Sequence, residues 1–211
     1  MITDYLSFLD ARLPGLVAGA HLYGSRVLDD VVADSDLDVV VEVSRLVEVP
    51  SFEGADVTVV LAGSLERPVS DVTPLAGEVT PVLWQQLRTV GQTVRGTRPS
   101  CPLDDGDVEA YCRANLVEYW DRLFTAVRAM PSLTRGDILW VGLGPARLWH
   151  TIRTGEIVSK SRAGELAAAR WPDLPLLDVV AARRDPSVSL TASHAQAAVD
   201  LFDRIRADVT T

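Results

Sequence analysis

Lysine is almost missing from this chain. Of its 20 basic residues, 19 are arginine and one, Lys160, is lysine. A coding bias toward arginine accounts for this wherever either cation serves, and it singles out the one lysine retained. Cysteine is equally scarce. Cys101 and Cys112 lie eleven residues apart, which fits neither a metal-ligand pair nor a redox motif, so two free buried or half-buried thiols are expected. His21, His150 and His194 are too scattered for a zinc site. No apolar run approaches the roughly 18 residues that span a bilayer. The start, Met1-Ile2-Thr3-Asp4, lacks the basic-then-apolar pattern of a signal peptide. There is no block of basic residues and the formal charge is −9, which argues against duplex DNA as a partner, because phosphates need clustered Arg and Lys. These absences leave a cytoplasmic protein with no membrane partner as the expectation.

What is present is a chain of 211 residues, 47% hydrophobic, too apolar for disorder and long enough for two small cores. Its charge is uneven: residues 1–100 carry net −7 and residues 101–211 net −2. Its texture changes at the same place. Short β-branched runs at 17–23, 37–43 and 56–61, separated by Pro and Gly, predict strands. The segment 96–102 reads as a connector. Beyond it, Val108, Tyr111, Cys112, Leu116, Tyr119, Trp120, Leu123 and Val127 recur at helical spacing and predict a helix over 108–130, closed by Pro131. Further helices are predicted over 136–153, 161–171 and 192–209, the last opened by a Ser193-x-x-Gln196 capping box. The expected organisation is an α/β domain over 1–100 and a helical bundle over 101–211.

The chemistry concentrates in His21-Leu22-Tyr23-Gly24-Ser25, then ten residues, then Asp36-Leu37-Asp38. An apolar strand running into a Gly-Ser turn lets backbone and hydroxyl approach a phosphate. Asp36 and Asp38 are expected on one strand face, where two carboxylates repel unless a cation lies between them. Oxygen-only ligands favour Mg²⁺. Asp56 opens the next strand, and three carboxylates on adjacent strands can hold two Mg²⁺ ions roughly 4 Å apart, as in displacement at phosphorus. Asp29, Asp30 and Asp34 read as solvated turn acids.

Gly24-Ser25-x10-Asp36-x-Asp38 resembles the signature of the polymerase-β-like nucleotidyltransferases, with Asp56 as the third carboxylate. The resemblance implies a small mixed sheet flanked by helices and transfer of a nucleoside monophosphate to a hydroxyl with release of pyrophosphate. Asp36 and Asp38 would bind the metals, Asp56 would bind the catalytic metal or act as base, and Ser25 and Ser35 would contact the triphosphate. The stretch Ala146-Arg147-Leu148-Trp149 to Thr154-Gly155-Glu156-Ile157-Val158-Ser159-Lys160, followed by Ala167 to Pro172, is similar to the helical domain of the streptomycin/spectinomycin-type aminoglycoside adenylyltransferases. By that likeness Arg147 and Lys160 meet the nucleotide phosphates and Asp137 contacts the cationic substrate. The family implies ATP as co-substrate, a cationic amino-sugar as acceptor, a role in antibiotic resistance, and here a monomer is expected.

The chain also departs from that branch. The stretch 61–78 after the third carboxylate is short, Met130 to Arg135 replaces an acid- and tryptophan-bearing segment, and Trp140 stands where an asparagine is expected. The third carboxylate is Asp56 where the branch has Glu, a difference of one methylene. A protein or tRNA acceptor is the first alternative and a nucleotide-binding module without activity the second; the acidic surface disfavours tRNA, and the three acids disfavour inactivity.

Overall fold

The computed structural model describes residues 2–33 and 35–210, and the chain divides into two compact units, 1–107 and 108–211. In the first, helix α1 (Ile2–Arg12) precedes strands β1 (Val17–Leu22), β2 (Leu37–Val43) and β3 (Ala55–Leu61), helix α2 (Pro81–Thr89) and strand β4 (Gln92–Arg95). The sheet order is β3-β2-β1-β4, with β1 antiparallel to both neighbours and β2 parallel to β3. This is a small mixed sheet. Adjacent parallel strands need a crossover, and residues 44–54 supply it over the face that α1 covers. There Phe52 packs on Tyr5 at 5.1 Å and Phe8 at 5.7 Å between ring centres.

Period-2 alternation decides which side chains meet which helix. Leu37, Val39, Val41 and Val43 pack with Tyr5, Leu9 and Leu16 on the α1 side. Val40 and Val60 pack with Leu83, Trp84 and Leu87 of α2 on the other. Cys101 belongs to that second core, its N–H donating to the Leu65 carbonyl at 3.0 Å. The first unit therefore runs past residue 100 to Asp107, because the expected connector is packed rather than free. Helix α2 and strand β4 lie in stretches too short to show their periodicity. Asp30 is buried, not a solvated turn acid; Asp34 lies outside the described residues.

On the α2 side of the sheet, buried His21 places Nε2 3.1 Å from Glu42 Oε1 and Nδ1 3.1 Å from Thr93 Oγ1, while the Gly63 N–H donates to Glu42 Oε2 at 3.0 Å. Burial raises the Glu42 carboxyl, but the hydrogen bonds from His21 and Gly63 outweigh it and hold the group below the usual carboxylate range. A depressed carboxyl contributes stability above its unfolded pKa of about 4.3 and loses it as pH falls through the folded value. Glu42→Gln is therefore expected to cost about 1–2 kcal/mol at neutral pH. Urea titrations across pH should show that gap closing below about pH 4; a gap unchanged at pH 3 would refute this assignment.

The second unit is helical: α3 (Asp107–Asn115), a π turn (Leu116–Trp120), α4 (Asp121–Ala129), α5 (Arg135–Thr154), α6 (Lys160–Arg170), α7 (Leu176–Arg184) and α8 (Ala192–Thr210). The first three form one continuous rod, as predicted, but its π turn inserts residues into the helical repeat and rotates the face beyond it. Phe124 is fully buried, whereas Tyr119, expected on the apolar stripe, is exposed. The opening of α8 also differs from expectation. Ser193 lies inside the helix, Gln196 bonds Asp200, and the Thr191 N–H donates to His194 Nδ1 at 3.0 Å, so Thr191 and His194 form the cap. Both cysteines are free and buried. Among the described residues no helix is long and apolar enough to cross a membrane.

Close helix packing in this unit rests on glycine. A Cβ at Gly144 would lie 2.3 Å from the six-membered ring of Trp120, which is itself stacked on Trp140 at 5.7 Å. Gly144→Ala would gain up to about 1 kcal/mol of helix propensity but force the indole to shift at about 1–3 kcal/mol. The clash wins, and a net loss of about 1 kcal/mol is expected in chemical denaturation. A raised midpoint would overturn this.

Candidate active site

At the end of β1 the Tyr23 N–H donates to the Asp38 carbonyl at 3.2 Å, and the chain then turns at Gly24. Gly24 has φ +70°, and a Cβ there would lie 2.0 Å from Asp38 Oδ2. Only glycine meets both demands. The turn continues as a single 3₁₀ turn over Gly24–Arg26. Its first two amides point in different directions: the Gly24 N–H donates to Gln86 Oε1 at 2.9 Å, and the Ser25 N–H to Asp38 Oδ2 at 3.3 Å. Ser25 Oγ is buried and has no hydrogen-bond partner among the described residues.

Asp38 and Asp56 are direct partners in the parallel β2–β3 register. Neighbouring strands lie about 4.8 Å apart, and alternation turns both side chains to the same face, so two like charges meet there. Asp56 is exposed and Asp38 half-buried. Thr58, two residues beyond Asp56 on the same face, is 2% exposed and donates Oγ1 to the Glu78 carbonyl at 3.2 Å. It also pairs with the Tyr23 phenol. Burial pushes that phenol far above its ordinary value; the Thr58 bond opposes this, and the Asp56 and Asp38 charges reinforce it. Tyr23 therefore stays a neutral O–H beside both carboxylates.

Not every expected member joins this group. Asp36 is exposed and lies one residue before β2, outside the strand in which it was expected. Ser35 closes the preceding turn, its Oγ accepting from the Val32 N–H at 3.0 Å. Among the described residues, no three His, Cys, Asp or Glu side chains gather as a set able to hold one ion. Conversely Tyr23, Thr58 and Gln86 belong to the site without having been singled out. Alternation from Asp56 could have indicated Thr58. Nothing local in the sequence points to Gln86.

In the helical unit, Lys160 opens α6 after its Ser159 cap, with Nζ 5.0 Å from the centre of the Trp140 ring. Trp140 and Arg147 are seven residues apart on α5 and so share one side of that helix. Burial pushes the Cys112 thiol up to about 12, opposed by the nearby Arg147 charge. Asp137 completes the α5 capping box: its Oδ2 accepts from Thr134 N–H at 2.9 Å and Thr134 Oγ1 at 2.6 Å. Those bonds hold its carboxyl below the usual range.

The small mixed sheet of the first unit and the helices of the second are similar to a nucleotidyltransferase fold. In particular, the structure is similar to that of spectinomycin adenyltransferase AAD(9) from Enterococcus faecialis, solved with ATP and spectinomycin. The TM-score is 0.63 at 16% identity, over 97% of this chain and 98% of that one. No family model matches the sequence, and neither does any curated protein. The resemblance read from the motifs thus holds at the level of the fold.

Proposed function

We propose that this chain transfers AMP from ATP to a hydroxyl of a cationic amino-sugar of the streptomycin/spectinomycin type, releasing pyrophosphate. The observation that carries this reading is the Gly24–Ser25 turn bound through its amide to Asp38, with Asp56 in register beside it. The likeness of the whole fold to an adenyltransferase supports it.

The residues suit a hard, oxygen-bound cation. Two facing carboxylates and the buried Ser25 hydroxyl, without a partner among the described residues, are oxygen donors only. We assign Mg²⁺ to Asp38 and Asp56; Asp36, one residue before β2 and not gathered with that pair, would have to swing toward it to serve as the third ligand that two ions call for. When bound, Mg²⁺ neutralises charge on the phosphates. The division of labour follows from hydrogen bonding. Asp38 Oδ2 already accepts the Ser25 N–H, which fixes the orientation of that carboxylate and suits it to a ligand. Asp56 is exposed, and its carboxylate can take the proton from the attacking hydroxyl. Gly24, Ser25 and Ser35 hold the triphosphate, and in the helical unit the proposal assigns phosphate contacts to Arg147 and Lys160. Asp137 serves the acceptor through the oxygen its cap leaves open. The net −7 charge of residues 1–100 favours a polycation and disfavours tRNA.

The test is transfer of label from α-labelled ATP with Mg²⁺ to streptomycin, spectinomycin and related amino-sugars. A labelled sugar is the expected product. Label in a protein band of lysate instead would replace the acceptor, and no nucleotide transfer to anything would sink the reading.

A further inference from the structure

Gln86 lies on the buried face of α2, between Leu83, Trp84 and Leu87 that pack against the sheet, and is itself 4% exposed. By the helix pattern an apolar residue belongs there, since an amide taken from water without a partner is costly. Its partner is far along the chain: Oε1 accepts the Gly24 N–H at 2.9 Å. That N–H opens the 3₁₀ turn, where the first amides have no acceptor within the turn itself, and Tyr23 supplies no side-chain cap. Gln86 thus supplies the missing acceptor from another element.

The consequence reaches Asp38. Because Asp38 Oδ2 occupies the space a Gly24 side chain would fill, and also accepts from Ser25 N–H, the position of the turn sets the position of that carboxylate. Of the turn's first two amides, Gly24 N–H is taken by Gln86 and Ser25 N–H reaches Asp38.

We propose that Gln86 is a positioning residue: through the Gly24 amide it holds the Gly24–Ser25 turn, and through the turn it holds Asp38 in the orientation that binds the metal–nucleotide complex. The inference rests on the reading of this end of the sheet as the metal and nucleotide site. It is a role in aiming a ligand rather than in touching substrate. Groups that orient metal ligands typically contribute about 10–100-fold to affinity or activity.

The experiment titrates Mn²⁺ with ATP into the full chain, reading free Mn²⁺ by electron paramagnetic resonance, and follows Gly24 amide exchange by NMR. Gln86→Met keeps the length and apolar packing but removes the acceptor. It is expected to weaken Mn²⁺·ATP binding about tenfold or more and to speed exchange at Gly24. Gln86→Glu keeps an acceptor at the same reach and is expected to retain both binding and slow exchange. Should Gln86→Met not fold, Gln86→Ser, too short to reach Gly24, carries the same expectation. Unchanged Mn²⁺·ATP affinity in Gln86→Met, or an equal loss in Gln86→Glu, overturns the inference while leaving the proposed function standing. A wild-type chain that binds no Mn²⁺·ATP overturns the site reading and this inference with it.

Discussion

Replacing Asp38 by asparagine is expected to abolish Mg²⁺-dependent nucleotide binding and to lower turnover by roughly a thousandfold, the rate equivalent of the several kcal/mol of charge stabilisation a catalytic metal supplies. The shape of the site should survive. Asparagine is isosteric, and its amide oxygen can still accept from Ser25 N–H, which donates to Asp38 Oδ2 in the native chain. The β2–β3 register that sets Asp38 against Asp56 also loses a like-charge contact, a relief of a few tenths of a kcal/mol. The variant should therefore melt at or slightly above the wild-type temperature. Calorimetric titration with ATP and Mg²⁺, beside a thermal melt, checks both halves. Unchanged nucleotide affinity would undermine the whole site; lost activity with a collapsed melt would make the residue structural.

Gly24→Ala should lose activity to a similar degree and stability as well. Its φ of +70° is one that a Cβ disfavours, by about 1–2 kcal/mol. The more severe effect is steric: the new methyl would lie 2.0 Å from Asp38 Oδ2, so the carboxylate or the turn has to move. Together these predict a loss of about 3 kcal/mol in urea unfolding. Gly54 and Gly63 provide the control. Both have positive φ, but a Cβ at either meets nothing within 4 Å. Alanine there should cost only the backbone term and leave nucleotide binding intact. If Gly24→Ala behaves like those two, the close approach of turn and carboxylate is not what the site depends on.

The contrast between these variants separates what local sequence encodes from what it does not. The β-branched run from Leu37 to Val43 was legible as a strand, because such residues fit a pleated, buried surface. The Gly-Ser turn and both acids of the sheet were legible for a similar reason: close backbone approach and clustered charge each need particular residue types. The long helices 135–154, 160–170 and 192–210 were readable within a residue or two, since 3.6-residue periodicity accumulates over several turns. Asp36 fell outside its strand by a single residue, because nothing in an alternating pattern marks where pairing begins. Tyr119 was misplaced because a π turn changes the period without leaving a mark in composition.

By itself, then, the amino-acid sequence determined the class of fold, the helical periods, the Gly24–Ser25 turn and the presence of acids fit for phosphate chemistry. These follow from short-range sterics and hydrophobic alternation, both written residue by residue. Only the tertiary structure decided that Asp38 faces Asp56 in register, that Asp137 is bound up in a helix cap and that His194 replaces the expected cap at α8. It alone brought the Gln86 amide to the Gly24 N–H. A hydrogen bond between residues 62 positions apart leaves no local pattern, because its geometry exists only once the helix has packed on the sheet.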